Sequence, residues 1–198
     1  MSKTDRTARE AYQAAWKIPR DRLGQAVLPR IIEHPPRPGD IHPLDRKTLL
    51  RLLPKIPLRF LHGLKGIELR ARESEEFGNP FGSYQPRFKL VRLYSTPYPE
   101  WPYAADSLNP NSILGLCGAS LLRRDGQYHL LWPGRLALAR YYFARILAHE
   151  LGHHHVYQYR HKRSLPGSSQ GHEGRADALA DEMQGLLRFN AVLGDEAV

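Results

Sequence analysis

The sequence predicts an α+β fold in which a small, twisted, mostly antiparallel sheet packs on two helices. Three observations predict it: alternating apolar and charged residues in the middle of the chain, two later segments with helical periodicity, and breaker-rich segments between them. A chain of 198 residues can bury the core of one good-sized domain without disulfides or other staples.

The first forty residues are expected to form a basic helical N-terminal arm and a proline-rich linker. The segment His34–Asp40 contains three prolines, which disfavour both helix and central strand. We therefore expect an arm over residues 1–40 and a folded domain over residues 41–198. The domain should begin with a short helix from Asp45 through Leu53.

Alternating patterns predict the strands of the sheet. Residues Gly66–Arg72 alternate apolar and charged side chains, and residues Arg87–Tyr94 nearly do so. The proline-rich span Pro97–Pro110 is predicted to be a long loop that could line a cleft.

A hairpin is predicted next. The apolar segments Leu114–Arg123 and Gln127–Trp132 are joined by Arg124-Asp125-Gly126, and Asp-Gly between two strands is a strong hairpin signal.

A long amphipathic helix is expected to follow. Pro133-Gly134 supplies its start, and apolar residues then recur at steps of three and four: Leu136, Ala139, Phe143, Ile146 and Leu147.

This helix carries the segment His149-Glu150-Leu151-Gly152-His153. Residues four apart lie on one helix face, so His149 and His153 can bind one Zn²⁺ together. Glu150 lies at the edge of the same face and can reach a water on the metal's open position. The pattern predicts a metal-dependent hydrolase.

The third metal ligand is predicted to be Glu173, at the start of a second helical pattern. Asp177 follows one turn later and could accept the other ring N–H of His149, fixing its tautomer. His172 is the alternative third ligand, but it lacks such a supporting partner.

These residues resemble the gluzincin metallopeptidases, whose metal motif is HExxH followed by a Glu and an Asp four apart on the next helix. The resemblance covers roughly residues 130–188. It implies a minimal zincin-like fold, a Zn²⁺ cofactor bound by His149, His153 and Glu173, and zinc metalloendopeptidase activity.

Other zinc families fit less well. A metzincin requires Gly and His where Val156 and Tyr159 stand, and peptide deformylase requires Asp where Gly152 stands. The small DNA–protein crosslink proteases use a third His downstream, for which His161 is poorly spaced.

The ligand set predicts a mechanism. Glu150 would assist the attack of a zinc-bound water on a peptide bond and then protonate the leaving amine. A peptide substrate would lie extended along an exposed strand edge. Members of the family usually place a His or Tyr beyond the third ligand to stabilise the oxyanion, and this chain has neither there. The possible donors are Tyr157, Tyr159, His161 and His172.

Some residues near the motif are expected to have structural roles. Of His154 and His155, one should face solvent and the other should pack beside the site. Cys117 could cap the zinc as a removable thiolate, but a small buried apolar residue is the preferred interpretation.

The chain carries a net charge of +9, concentrated in residues 1–100. A solvated basic surface explains this best, and nucleic acid is a possible partner. Two alternatives to a simple peptidase therefore stay open: a DNA-associated protease, and a non-catalytic zinc-binding regulatory protein.

We expect a cytoplasmic protein without a membrane partner. The N-terminal stretch has no apolar signal core, and no run of eighteen apolar residues occurs. The single cysteine excludes an internal disulfide framework.

Overall fold

The computed structural model describes residues 28–73, 81–160 and 169–187. The expected helical arm over the first part of the chain lies largely outside these residues. In chain order the strands are β1 (Arg30–Glu33), β2 (Asp40–Ile41), β3 (Gly66–Arg70), β4 (Gly82–Gln85), β5 (Leu90–Tyr94), β6 (Thr96–Pro97), β7 (Glu100–Tyr103), β8 (Ser120–Arg124) and β9 (Gln127–Leu131). The helices are α1 (Arg46–Leu52), α2 (Leu58–Leu61), α3 (Ile113–Leu116), α4 (Arg135–Tyr141), α5 (Ala148–Arg160) and α6 (Ser169–Leu187). The predicted α+β class is confirmed.

The main sheet has the strand order β1-β3-β5-β4. Strands β1, β3 and β5 are parallel neighbours, and β4 pairs antiparallel with β5 at one edge. The expectation of a mostly antiparallel sheet is therefore wrong for this sheet, which is mixed. The reason is the connection between β1 and β3, which includes α1 and α2 and returns the chain in the same direction.

The expected domain boundary at residue 40 does not separate two units. Strand β1 lies within the predicted arm, yet Ile31 of β1 pairs with Ile67 of β3. Asp40 is buried and accepts hydrogen bonds from Arg72 Nε and Ser95 Oγ, both at 2.8 Å. The proline-rich segment thus joins β1 to β2 within one fold.

The predicted hairpin is confirmed, with a later start. Asp125 and Gly126 adopt φ of 51° and 78° between β8 and β9. The first strand begins at Ser120, because the residues before it, Ile113–Leu116, form the short helix α3. Ser112 caps this helix by accepting from the N–H of Gly115 at 3.3 Å. The span Pro97–Pro110 is also not all loop, since it contains β7, which pairs with β9.

The predicted helix after Asp45 is confirmed as α1. The Asp45 side chain accepts a hydrogen bond from the N–H of Thr48 at 2.7 Å and so caps the start of the helix. The buried residues of α1, Leu49 and Leu52, contribute to the core with Ile67 of β3 and Val91 of β5.

The predicted long helix is also confirmed, because α4, a π-helical segment (Tyr142–Leu147) and α5 follow one another without a break. At the end of the π segment the N–H of Ala148 donates to the carbonyl of Phe143, five residues earlier. Tyr142, Phe143 and Leu147 are completely buried. In a π segment the backbone hydrogen bonds join residues five apart instead of four, and such segments are often found at functional sites.

Helix α5 lies at the centre of the molecule, packed against α2, α6, β4 and β5. Its contact with α6 depends on Gly152, where an added Cβ would lie 2.5 Å from the carbonyl oxygen of Ala176. Only glycine permits this approach of two helix backbones. Among the residues described, no helix has the length and apolar character needed to cross a membrane.

Candidate metal centre

Three side chains from the two helices meet at the contact between α5 and α6. The structure brings together ligand atoms of His149, His153 and Glu173, all within 4.8 Å of one another. The two histidine side chains are mostly buried, whereas that of Glu173 is 60% exposed. Solvent can therefore reach the cluster from the side of Glu173 on α6.

The spacing of these atoms matches a tetrahedral metal site. His149 Nε2 lies 3.0 Å from His153 Nε2 and 3.3 Å from Glu173 Oε2, and His153 Nε2 lies 3.5 Å from Glu173 Oε2. Ligands ~2.1 Å from one zinc ion at tetrahedral angles are about 3.4 Å apart. The three donors fit Zn²⁺ in type and in distance. A tetrahedral ion bound by these three atoms would keep its fourth coordination position for water or a substrate.

Asp177 lies behind the first histidine, as the spacing on α6 predicts. Its Oδ1 is 2.8 Å from His149 Nδ1. Because a carboxylate only accepts, Nδ1 carries the proton, and the lone pair of the neutral ring is on Nε2, which faces Glu173. The same carboxylate oxygen accepts from Arg145 Nη1 at 2.8 Å.

The second histidine is also suited to binding a metal. Burial, and then the neighbouring His149, lower the pKa of His153. The ring therefore stays neutral at neutral pH and keeps a lone pair available to a metal ion.

Glu150 is buried beside the cluster, under the edge strand β4. Burial, and secondarily the negative charge of Glu173, raise the pKa of Glu150 to about 7, although a hydrogen bond from the backbone N–H of Tyr84 opposes the shift. A carboxyl group with a pKa near the working pH can both take and return a proton.

The four residues predicted as possible oxyanion donors lie in different surroundings, and two of them cannot be described in full. His172 stacks on His153, with ring centroids 5.9 Å apart, and its Nε2 is buried without a hydrogen-bond partner in the described part of the chain. Tyr157 packs its ring 6.0 Å from that of Tyr84. The side chain of Tyr159 and the whole of His161 lie outside what the structure describes.

The expectations for His154 and His155 need correction. His154 is completely buried, and His155 is partly buried against Phe60, with ring centroids 5.6 Å apart. Neither ring faces solvent as one was expected to, because α2 and β4 cover this side of α5.

The preferred interpretation of Cys117 agrees with its surroundings. The thiol is buried, and burial raises its pKa to about 11 against the opposing charge of Arg140. It is not one of the three clustered ligands.

Several residues around the site were not anticipated. Arg145 stands four residues before His149 on the same helix, so its position could have been noticed from spacing. Gly82 and Tyr84 of β4 carry no such signal, because nothing in the sequence places β4 over α5.

Comparisons of the chain with family models, with curated proteins and with solved structures gave no match. What the protein does must therefore be inferred from the geometry of its site.

Proposed function

We propose that the protein is a zinc-dependent metalloendopeptidase of the gluzincin type with a minimal zincin-like core. One observation carries the proposal: an open cluster of His149, His153 and Glu173 with metal-ligand spacing lies beside the buried carboxyl group of Glu150. A structural zinc site usually has four protein ligands, whereas a catalytic site has three and an open position.

The metal would be bound by the two Nε2 atoms and by a carboxylate oxygen of Glu173. When bound, zinc supplies a Lewis acid that activates water near neutral pH and polarises a carbonyl group. Asp177 would orient His149 and increase its basicity through the Nδ1 proton.

Glu150 would act as the general base and then as the general acid. With a pKa raised to about 7 by burial, its carboxylate can take a proton from the attacking water and return it to the leaving amine. Gly82 of β4 lies against the Glu150 side chain and would limit the directions that the carboxylate can take.

The edge strand β4 gives the proposed substrate class, an extended polypeptide. The N–H of Tyr94 donates to the carbonyl of Phe81 at 3.0 Å, so in the alternating antiparallel ladder Gly82 and Tyr84 turn their backbone groups away from β5. A peptide laid along this edge would pair with the main-chain groups of β4 that neither β5 nor Glu150 uses.

His172 is the favoured oxyanion donor among the four candidates. It stacks directly on a proposed ligand, and its buried Nε2 has an unused hydrogen-bonding capacity among the described residues. The single cysteine fits a reducing compartment, and a cytoplasmic location is part of this proposal.

The proposal is tested by removing and restoring the metal. We expect purified protein to contain one zinc per chain and to cleave members of a library of unstructured peptides. Chelation should abolish cleavage, and stoichiometric zinc should restore it. Stoichiometric zinc without cleavage of any peptide or unfolded protein would contradict the proposal and favour a non-catalytic zinc-binding regulatory protein.

The same assay can be run with DNA present to examine the other alternative. Cleavage that requires DNA and weakens steeply as salt is raised would favour a DNA-associated protease. Cleavage independent of DNA would favour the simple peptidase.

A further inference from the structure

We propose that Gly82 and the hydrogen bond between Tyr84 and His154 position Glu150 by seating the edge strand β4 on helix α5. This inference rests on the proposed function, since it concerns how the general base is oriented. Gly82, Tyr84 and His154 are positioning residues in this proposal, and they act by holding β4 against the Glu150 side chain.

Gly82 brings the backbone of β4 into contact with the helix. A Cβ at this position would lie 2.7 Å from Ile146 Cγ2, and 3.1 Å and 3.2 Å from Cγ and Oε1 of Glu150. Any side chain at residue 82 would have to displace β4, Ile146 or Glu150. The absent side chain therefore sets the distance between the strand and the carboxylate.

Two residues further along, the side chain of Tyr84 is held by the same helix. The Tyr84 hydroxyl lies 3.0 Å from His154 Nδ1, and His154 Nε2 lies 2.9 Å from the carbonyl oxygen of His62. Because a carbonyl only accepts, Nε2 carries the proton and Nδ1 accepts from the Tyr84 hydroxyl. The bond is buried, since His154 has no exposed surface.

The two contacts hold β4 against α5 at residues two apart, and Gly82 itself borders the Glu150 carboxylate. Gly82 packs on the first turn of α5, and Tyr84 is bonded to its next turn. If a side chain at residue 82 pushes the strand away, or if the bond to His154 is lost, β4 moves relative to α5 and the Glu150 carboxylate loses the surface that Gly82 provides. The proposed metal ligands come from α5 and α6, so zinc binding should change little.

The test uses Gly82→Ala and Tyr84→Phe, with Gly134→Ala as the matched control. A Cβ at Gly134 has no heavy atom within 4 Å, and its φ of 179° is extended backbone that any residue adopts. We expect zinc affinity within ~2-fold of wild type in all three variants. In Tyr84→Phe we expect kcat to fall by ~10-fold or more with KM within ~2-fold, because a small misplacement of a catalytic group costs rate rather than binding.

A second-site change makes the Gly82 result specific. Ile146→Ala removes the atom nearest to the added Cβ, so Gly82→Ala/Ile146→Ala should regain part of the lost kcat. Zinc-loaded Gly82→Ala and Tyr84→Phe enzymes with wild-type kcat would overturn the inference.

Hydrogen exchange at the Tyr84 amide separates this inference from the proposed function. The amide should be protected in wild type and should exchange at least ~10-fold faster in Gly82→Ala and in Tyr84→Phe, whether or not the protein cleaves peptides. Unchanged protection in both variants would overturn the inference even if the wild type is an active peptidase. An inactive wild type with the expected exchange pattern would contradict only the proposed function.

Discussion

His149 and Asp177 share a hydrogen bond of 2.8 Å that connects helix α5 to helix α6. The bond assigns the proton of the imidazole to Nδ1 and leaves the lone pair on Nε2, next to His153 and Glu173. A residue outside the ligand cluster therefore determines which nitrogen of His149 can bind a metal.

We expect Asp177→Asn to weaken zinc binding by about 10–100-fold without abolishing it, since an amide can no longer provide a full negative charge to the imidazole. Zinc affinity can be measured by competition with a chelating dye. Asp181→Asn, one turn later on α6 and exposed, is the control and should bind zinc as wild type does. Equal affinities in the two variants would remove the role of Asp177.

Two substitutions distinguish Glu173, the proposed third ligand, from its neighbour His172. Glu173→Ala should lose most bound zinc, whereas His172→Ala should retain it and lose activity if the ring donates to the oxyanion. Metal analysis after dialysis measures the first effect, and kcat measures the second. If Glu173→Ala retained zinc and His172→Ala lost it, His172 and not Glu173 would be the third ligand.

Gly152→Ala should disturb the contact between the two helices. The added Cβ would clash with the backbone of Ala176, so we expect a loss of about 1–3 kcal/mol in the free energy of unfolding together with weaker zinc binding. Urea denaturation of the metal-free protein measures the first effect. Gly174→Ala on α6 is the control, because its Cβ meets nothing within 4 Å and alanine favours helix by up to ~1 kcal/mol.

Protonation of His154 should destabilise the fold in acid. Burial lowers the pKa of His154 to about 4, while an unfolded histidine has a pKa of ~6.5. The unfolded state then binds the proton first, so stability is complete above pH ~6.5 and falls as the pH drops towards 4. The linked loss is about 3 kcal/mol.

This loss is measured by urea denaturation of the metal-free protein at several pH values, so that release of zinc does not contribute. His154→Gln should be less stable at neutral pH, but its stability should fall less between pH ~6.5 and ~4. The same pH dependence in wild type and variant would show that His154 does not carry the linkage.

The sequence predicted best what depends on local periodicity. The spacing of His149 and His153 on a helix, the Asp125-Gly126 turn and the short helix that begins at Asp45 are all set by residues within a few positions of one another. Even Glu173 and Asp177 were placed correctly relative to each other, because they lie one turn apart on the same helix.

Features that depend on distant pairing were missed or misjudged. The parallel pairing of β1 with β3 joins residues more than thirty positions apart, and short strands such as Arg30–Glu33 carry little pattern of their own. The position of Gly82 against Glu150 likewise depends on how β4 packs on α5. The π segment before α5 has no signature in an apolar run that also suits an ordinary α-helix.

Glu150 is proposed to transfer protons beside a bound zinc ion without being one of its ligands. The most direct test measures zinc content and peptide cleavage together in wild type, in Glu150→Gln and in Glu33→Gln, an exposed residue of β1 at the opposite edge of the sheet. We predict one zinc per chain in all three proteins, wild-type turnover in Glu33→Gln, and turnover at least ~10²-fold lower in Glu150→Gln. A Glu150→Gln protein that cleaves peptides as fast as wild type would contradict this role of Glu150.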